Sequence, residues 1–195
     1  VEVILGLGNP GQRYAHTRHN VGFDVVDELQ RRRGRGGWLG RESWDLAVIA
    51  PGRLVVLAKP LEYMNRSGEV AARLLGELGV EPAAMVVVVD DIDLPLGSMR
   101  LRGRGGPGTH NGLRNLCDHL GRDFTRLRVG VRGPSIGGDL AAYVTGHFEA
   151  DERAAANAVV DRAADALEHA LRHGFERAMN LFNRPAEPAE SVLRD

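Results

Sequence analysis

Met85-Val86-Val87-Val88-Val89, followed at once by Asp90, is the stretch on which the fold turns. The run is too short for a helix with its own core face and too uniformly apolar for a strand with one wet side. It fits a strand covered on both faces. Working outward, Val1–Leu7 reads as a second buried strand that ends in the turn Gly8-Asn9-Pro10-Gly11. Phe23, Val26 and Leu29 then recur at helical spacing and predict a helix over Val21–Arg33. A loop reaches Gly40, and Trp44–Ala50 and Arg53–Ala58 read as paired strands around Pro51-Gly52. After a loop over Lys59–Gly68 comes a helix to about Leu78, stopped by Gly79 and Pro82. On the far side, Met99–Arg102 predicts a short strand, and Gly103–Thr109 is a glycine-rich loop before a helix to Leu120. Thr125–Val131 alternates as a strand, with Leu127, Val129 and Val131 on one face and Arg126, Arg128 and Arg132 on the other. A helix over Asp151–His173 and a last short one to Asn183 complete the chain. Strands alternating with helices define an α/β class, and the hairpin makes the sheet mixed. The expectation is one domain over residues 1–183, a twisted mixed β-sheet packed between α-helices, with 184–195 as a C-terminal tail.

A chain of 195 residues suits one core, and 43% hydrophobic with 26% charged residues is ordinary globular composition. No apolar stretch reaches membrane-spanning length, and the start lacks the basic region of a signal peptide. Cys117 is the sole cysteine, so there is no internal disulfide, and a cytoplasmic location is expected. The net charge is −1, so RNA contact would rest on a local patch. Arg100, Arg102, Arg104, Arg114, Arg122, Arg126, Arg128 and Arg132 supply one, against only Asp118 and Asp123; a solvated mixed surface is the alternative.

Two other site classes are weak. Gly6, Gly8 and Gly11 match a dinucleotide-binding glycine pattern, but Pro10 removes a backbone donor and Asp27 falls inside a helix. These glycines are read as serving a tight turn. His16 and His19, or His169 and His173, have helical-neighbour spacing but lack the glutamate of a zinc motif, so no metal is expected. In open sheets, ligands sit beyond the carboxyl ends of the strands. That rule brings Asn9, Asn65 and Asp90 to one edge. His19 lies in a dense polar run before the first helix. Thr17 or Asn20 could simply cap that helix, and Asn111 the one after the glycine loop.

Five ordered segments carry a resemblance: Gly8-Asn9-Pro10-Gly11-Gln12-Arg13-Tyr14, Tyr14-Ala15-His16-Thr17-Arg18-His19-Asn20-Val21-Gly22, Tyr63-Met64-Asn65-Arg66-Ser67-Gly68, Asp90-Asp91-Ile92-Asp93-Leu94-Pro95 and Gly106-Pro107-Gly108-Thr109-His110-Asn111-Gly112-Leu113. The chain thereby resembles the bacterial peptidyl-tRNA hydrolases. The resemblance implies a monomer without a cofactor, acting on peptidyl-tRNA. It implies His19 as catalytic base, Asp90 as its positioning carboxylate, and Asn9, Asn65 and Asn111 as substrate-binding residues, with Tyr14 and Tyr63 beside them. Arg102 and Arg128 stand where the family grips a tRNA phosphate. Thr109 and Pro107 in the glycine loop, and Arg132 after Val131, depart from the usual pattern and put loop behaviour and tRNA affinity in question. The rival from another class is a non-catalytic RNA-binding relative, like some plant organelle splicing factors.

The residue types suit ester hydrolysis. An imidazole titrates near neutral pH, so it can take a proton from water and return one to a leaving ribose oxygen. A carboxylate on its other nitrogen fixes the tautomer. Asparagine amides can hold a peptide backbone, whatever its side chains, or donate to an oxyanion. No serine or cysteine stands in a nucleophile's setting, which favours direct attack by water.

Overall fold

The computed structural model describes residues 2–49, 54–134 and 136–184. Seven strands form one sheet: β1 (Glu2–Gly6), β2 (Leu39–Gly40), β3 (Trp44–Ile49), β4 (Val55–Pro60), β5 (Met85–Pro95), β6 (Met99–Arg102) and β7 (Thr125–Arg132), in the order β2-β3-β4-β1-β5-β7-β6. The centre β4-β1-β5-β7 is parallel, flanked by antiparallel pairings, β3 and β2 beyond β4 and β6 beyond β7. The helices are α1 (Val21–Arg33), α2 (Ser67–Leu78), α3 (Asn111–Leu120), α4 (Leu140–Thr145), α5 (Arg153–His173) and α6 (Phe175–Phe182).

The valine run behaves as its composition requires. Val86 and Val88 enter the core under α1 and α5, while Met85, Val87 and Val89 enter the core under α2 and α3. Period-2 alternation sends each parity to a different helical layer, so the whole run is buried. Helix α1 sits unusually close to the sheet. A Cβ on Gly22 would lie 2.4 Å from the Val88 carbonyl oxygen, and one on Gly6 would lie 2.3 Å from the Gly22 carbonyl oxygen. Gly8 is likewise filled by the Phe23 ring at 2.8 Å. Gly6 and Gly8 thus serve helix–strand contact and Gly11 a turn at φ 98°, which accounts for the pattern without a dinucleotide. At the end of α2, Gly79 adopts φ 62°, the left-handed C-terminal stop its position predicts.

Several expectations need correction. Strand β5 continues through Asp90 to Pro95 because β7 pairs with it as far as Asp91 and again at Pro95. The loop before α2 contains a 3-10 turn over Met64–Arg66, and α2 begins at Ser67. The segment read as loop up to Gly40 holds β2, paired to β3. Helix α4 falls in a stretch for which no element was expected, and α5 starts at Arg153. Val1, Ala50 and Arg53, at the ends of expected strands, lie outside the described residues, as does the expected tail beyond residue 184.

Candidate active site

The segment between β1 and α1 is held by side-chain bonds that local propensity does not supply. Asn20 is buried and stands at the N-cap position of α1, but its side chain makes no capping bond to the helix. Its Oδ1 accepts from the Asn9 backbone N–H at 2.8 Å and its Nδ2 donates to the Asn9 carbonyl at 2.9 Å. Asn9 in turn turns its own Oδ1 to the Met64 N–H at 2.8 Å. The carboxyl ends of β1 and β4 are thus pinned together, with the Asn9 Nδ2 left as a donor. Thr17 Oγ1 donates to the Tyr14 carbonyl at 2.8 Å, closing the turn before His19.

His19 occupies a 3-10 turn (Arg18–Asn20) directly ahead of α1. Its Nδ1 lies 2.9 Å from Asp90 Oδ1. His110, the residue that caps α3, places Nε2 at 2.9 Å from the same oxygen. His110 Nδ1 accepts the Leu113 backbone N–H at 3.1 Å, so the proton offered to Asp90 is on Nε2. Asp90 therefore accepts from both rings, and His19 Nδ1 carries the proton, leaving Nε2 as the free acceptor. Burial opposes charge on Asp90, which is 2% exposed. The two imidazoles more than offset that penalty and hold its carboxyl well below the ordinary carboxylate range.

A cavity of about 390 Å³ opens on this cluster. Asn9, His19, Asp90, Asn111 and Arg128, all singled out in the sequence, line it together. Leu140, Ala141 and Val144 of α4 form an apolar wall that no sequence signal announced. Tyr14, Tyr63 and Asn65 are not among its lining. Tyr14 and Tyr63 meet edge to face at 6.3 Å, with Tyr63 57% exposed, and Asn65 is exposed in the turn next to Met64. They form a flanking group, joined to the cavity through the Asn9–Met64 bond.

The arginines divide. Arg102 is exposed and lines a second hollow of about 430 Å³ with Arg100, Arg104 and Arg128. Arg128 already donates to Asp91 Oδ2 at 3.1 Å and to the carbonyls of Gly106 and Pro107 at 3.0 and 3.2 Å. Arg126, expected in the basic patch, is buried to 1% exposure. It stacks on Phe124 at 4.3 Å and donates to the carbonyls of Gly105, Arg122 and Phe124. It anchors the glycine-rich loop at the floor of that hollow, with its guanidinium committed to backbone carbonyls.

His110 is the functional candidate that sequence reasoning passed over. Its neighbour Asn111 was weighed as the cap, yet the histidine does the capping. Among the described residues, His19, Asp90 and His110 are the one group of histidine, cysteine and acidic side chains that could ligate an ion, with donor atoms within 4.8 Å of one another. Both ring nitrogens, however, stand at hydrogen-bond distance from a single oxygen. An ion needs each ligand at roughly 2.0–2.2 Å with itself between them. His16, by contrast, turns away from His19 to Asp24 at 2.8 Å.

Fold and cluster together define an α/β protein with a histidine–carboxylate–histidine centre at the carboxyl edge of its parallel strands. The peptidyl-tRNA hydrolase family profile matches residues 3–190. A peptidyl-tRNA hydrolase of Chloroflexus aurantiacus is 47% identical over 184 residues, covering 93% of this chain and 98% of the relative. One from Rubrobacter xylanophilus is 45% identical, covering 93% and 100%. The crystal structure of the Acinetobacter baumannii peptidyl-tRNA hydrolase superposes with a TM-score of 0.85 at 32% identity, covering 95% of this chain and 97% of that one. The chain belongs to the peptidyl-tRNA hydrolase family.

Proposed function

We propose that this chain hydrolyses the ester between peptide and tRNA ribose with His19 as general base, releasing tRNA and peptide for reuse in translation. The observation that carries the reading is the His19–Asp90 bond at 2.9 Å. It commits Nδ1 to a buried carboxylate and leaves Nε2, which has no partner among the described residues, for a water at the cavity. Water attacks the ester carbon as its proton passes to Nε2. The tetrahedral intermediate then expels the ribose oxygen, which takes the proton back. Asp90 stabilises the imidazolium in between, and His110 holds that carboxylate in place. Asn9 and Asn111 supply amide donors for the oxyanion or the peptide backbone. Asn65, Tyr14 and Tyr63 border the site and take the substrate's flanks. The arrangement favours catalysis over the RNA-binding alternative, because a bare binding surface has no need of a buried carboxylate shared by two imidazoles.

Further parts of the reading follow from the same family membership. Residues 1–183 act as one catalytic domain with 184–195 appended, and the enzyme works as a monomer in the cytoplasm. No helix among the described residues is long and apolar enough to cross a membrane.

No cofactor or metal takes part in this mechanism. Dialysis against EDTA, with magnesium restored for the tRNA alone, is expected to leave kcat unchanged. Loss of activity that zinc restores would move the chemistry onto an ion held by His19, Asp90 and His110.

Arg102 and Arg128 are proposed to meet a tRNA phosphate. Arg102→Glu should raise KM for peptidyl-tRNA about tenfold or more, the worth of one charge-assisted contact, and lower the salt slope by about one. A short peptidyl ester lacking that phosphate should be cleaved as before. Arg128→Glu sets a second carboxylate against Asp91 and frees the loop, so it should also lower Tm. Equal losses on both substrates for Arg102→Glu would show that this residue supports the site and not the tRNA.

A further inference from the structure

Arg18 precedes the proposed base and is 3% exposed, a guanidinium taken almost wholly out of water. Its Nη2 donates to Glu152 Oε2 at 2.5 Å, and Glu152 is itself 5% exposed and stands at the start of α5. Its Nη1 donates to the His147 carbonyl at 2.5 Å. The Tyr143 ring of α4 lies against the guanidinium at 4.2 Å, and Phe148 at 5.3 Å. The backbone adds its own stitches: Arg18 N–H to the Gly146 carbonyl at 3.0 Å, and a bridge between Thr17 and His147. Tyr143 is tied to the end of β7 as well, donating to the Val131 carbonyl at 3.0 Å and accepting the Gly133 N–H at 2.8 Å.

These contacts converge on one side chain from the turn of His19, from α4, from α5 and, through Tyr143, from β7. Helix α4 has no buried residue of its own and only six residues, so it cannot hold its place by core packing. Yet Leu140, Ala141 and Val144 of that helix wall the catalytic cavity. A buried charge pair is a costly way to gain stability, since the desolvation of both ions offsets most of their attraction. What it supplies is a fixed geometry: a planar fork that must satisfy Glu152 and the His147 carbonyl at once admits one arrangement.

We propose that Arg18 is a positioning residue for the reaction, locking the α4 wall of the cavity to the turn that carries His19. The proposal rests on His19 being the base. Without the lock, the wall and the base drift relative to each other, and misplacement on the scale of an ångström slows chemistry roughly 10–10²-fold even when the substitution is away from the reacting atoms. The tRNA hollow beside Arg102 touches none of these contacts, so tRNA affinity should be untouched.

The test uses Arg18→Lys, which keeps the charge and loses the fork, and Tyr143→Ala, which removes the ring from α4. Tyr143 is half-buried and its truncation strips no buried charge, so it keeps the test open if Arg18→Lys does not fold. In variants shown folded by thermal melts, kcat on peptidyl-tRNA should fall roughly 10–10²-fold, while inhibition by deacylated tRNA keeps its wild-type constant. Tyr143→Phe, which retains the ring, should stay within a few-fold of wild type. The Arg18→Lys/Tyr143→Ala double variant should be no slower than the worse single one, because both act through one link. Wild-type kcat in the folded single variants, weakened tRNA binding in step with kcat, or additive losses would each overturn the proposal. If His19→Ala is fully active, the underlying reading fails; if it is inactive while these variants are not, the failure belongs to Arg18 alone.

Discussion

Replacing His19 by alanine should lower kcat by roughly 10²–10⁴-fold, the range expected for loss of a general base. Among the described residues, the substitution removes the one cavity-lining imidazole whose second nitrogen has no hydrogen-bond partner. His110 cannot stand in for it, because its Nδ1 is held by the Leu113 N–H and its Nε2 by Asp90. The rival reading makes His19 a structural residue that begins α1. On that reading the variant loses Tm but keeps its turnover per folded molecule. Thermal melts beside kcat separate the two, and the loss should appear in kcat with KM little changed, since a base acts on the transition state.

Asp90→Asn is the second large effect. One carboxylate oxygen accepts from both His19 and His110 at 2.9 Å. An asparagine can keep its carbonyl oxygen there, because turning its NH2 inward would leave His110 with no consistent tautomer against Leu113. Geometry is then retained while the charge is lost, and kcat should fall roughly 10²-fold for want of imidazolium stabilisation. The pH dependence of stability checks the electrostatics. The carboxyl of Asp90 is depressed in the folded state. Its contribution is therefore full above the unfolded carboxylate pKa of about 4 and disappears as pH falls below it. The Tm difference between wild type and Asp90→Asn should be constant near neutrality and shrink on acidification. A gap that grows in acid would mean that Asp90 is not charged at neutral pH.

What could be read from residues alone follows a physical line. The strand at Met85 was legible because burial on both faces leaves an unbroken apolar run. The edge where Asn9 and Asp90 meet was legible because parallel strands open their carboxyl ends to ligands, and the Asn9–Met64 bond joins two of those strand ends, while Asn65 stands outside the cavity in the adjoining turn. Helix α4 was not legible: six residues between glycines, none of them buried, carry no periodicity to detect. Arg126 and Arg128 alternate identically in sequence, yet one is buried and the other half-buried. Both donate to carbonyls of the glycine loop, but Arg126 also lies over the Phe124 ring and donates to the Arg122 and Phe124 carbonyls, whereas Arg128 reaches Asp91. The His19 and Asp90 roles rested on resemblance as much as on physics, and His110 was overlooked because a cap and a catalytic neighbour leave the same trace in sequence. Arg18 was hidden for a similar reason, its partner Glu152 lying 134 residues away.

The central claim is that this chain cuts the peptide–ribose ester with water activated at His19. Purified peptidyl-tRNA, incubated with the EDTA-dialysed wild-type protein, should yield peptide with a free carboxylate and intact tRNA that can be charged again, while folded His19→Ala yields neither at a comparable rate. RNA that is bound and protected with its peptide still attached, or equal release by the His19→Ala protein, would contradict the account.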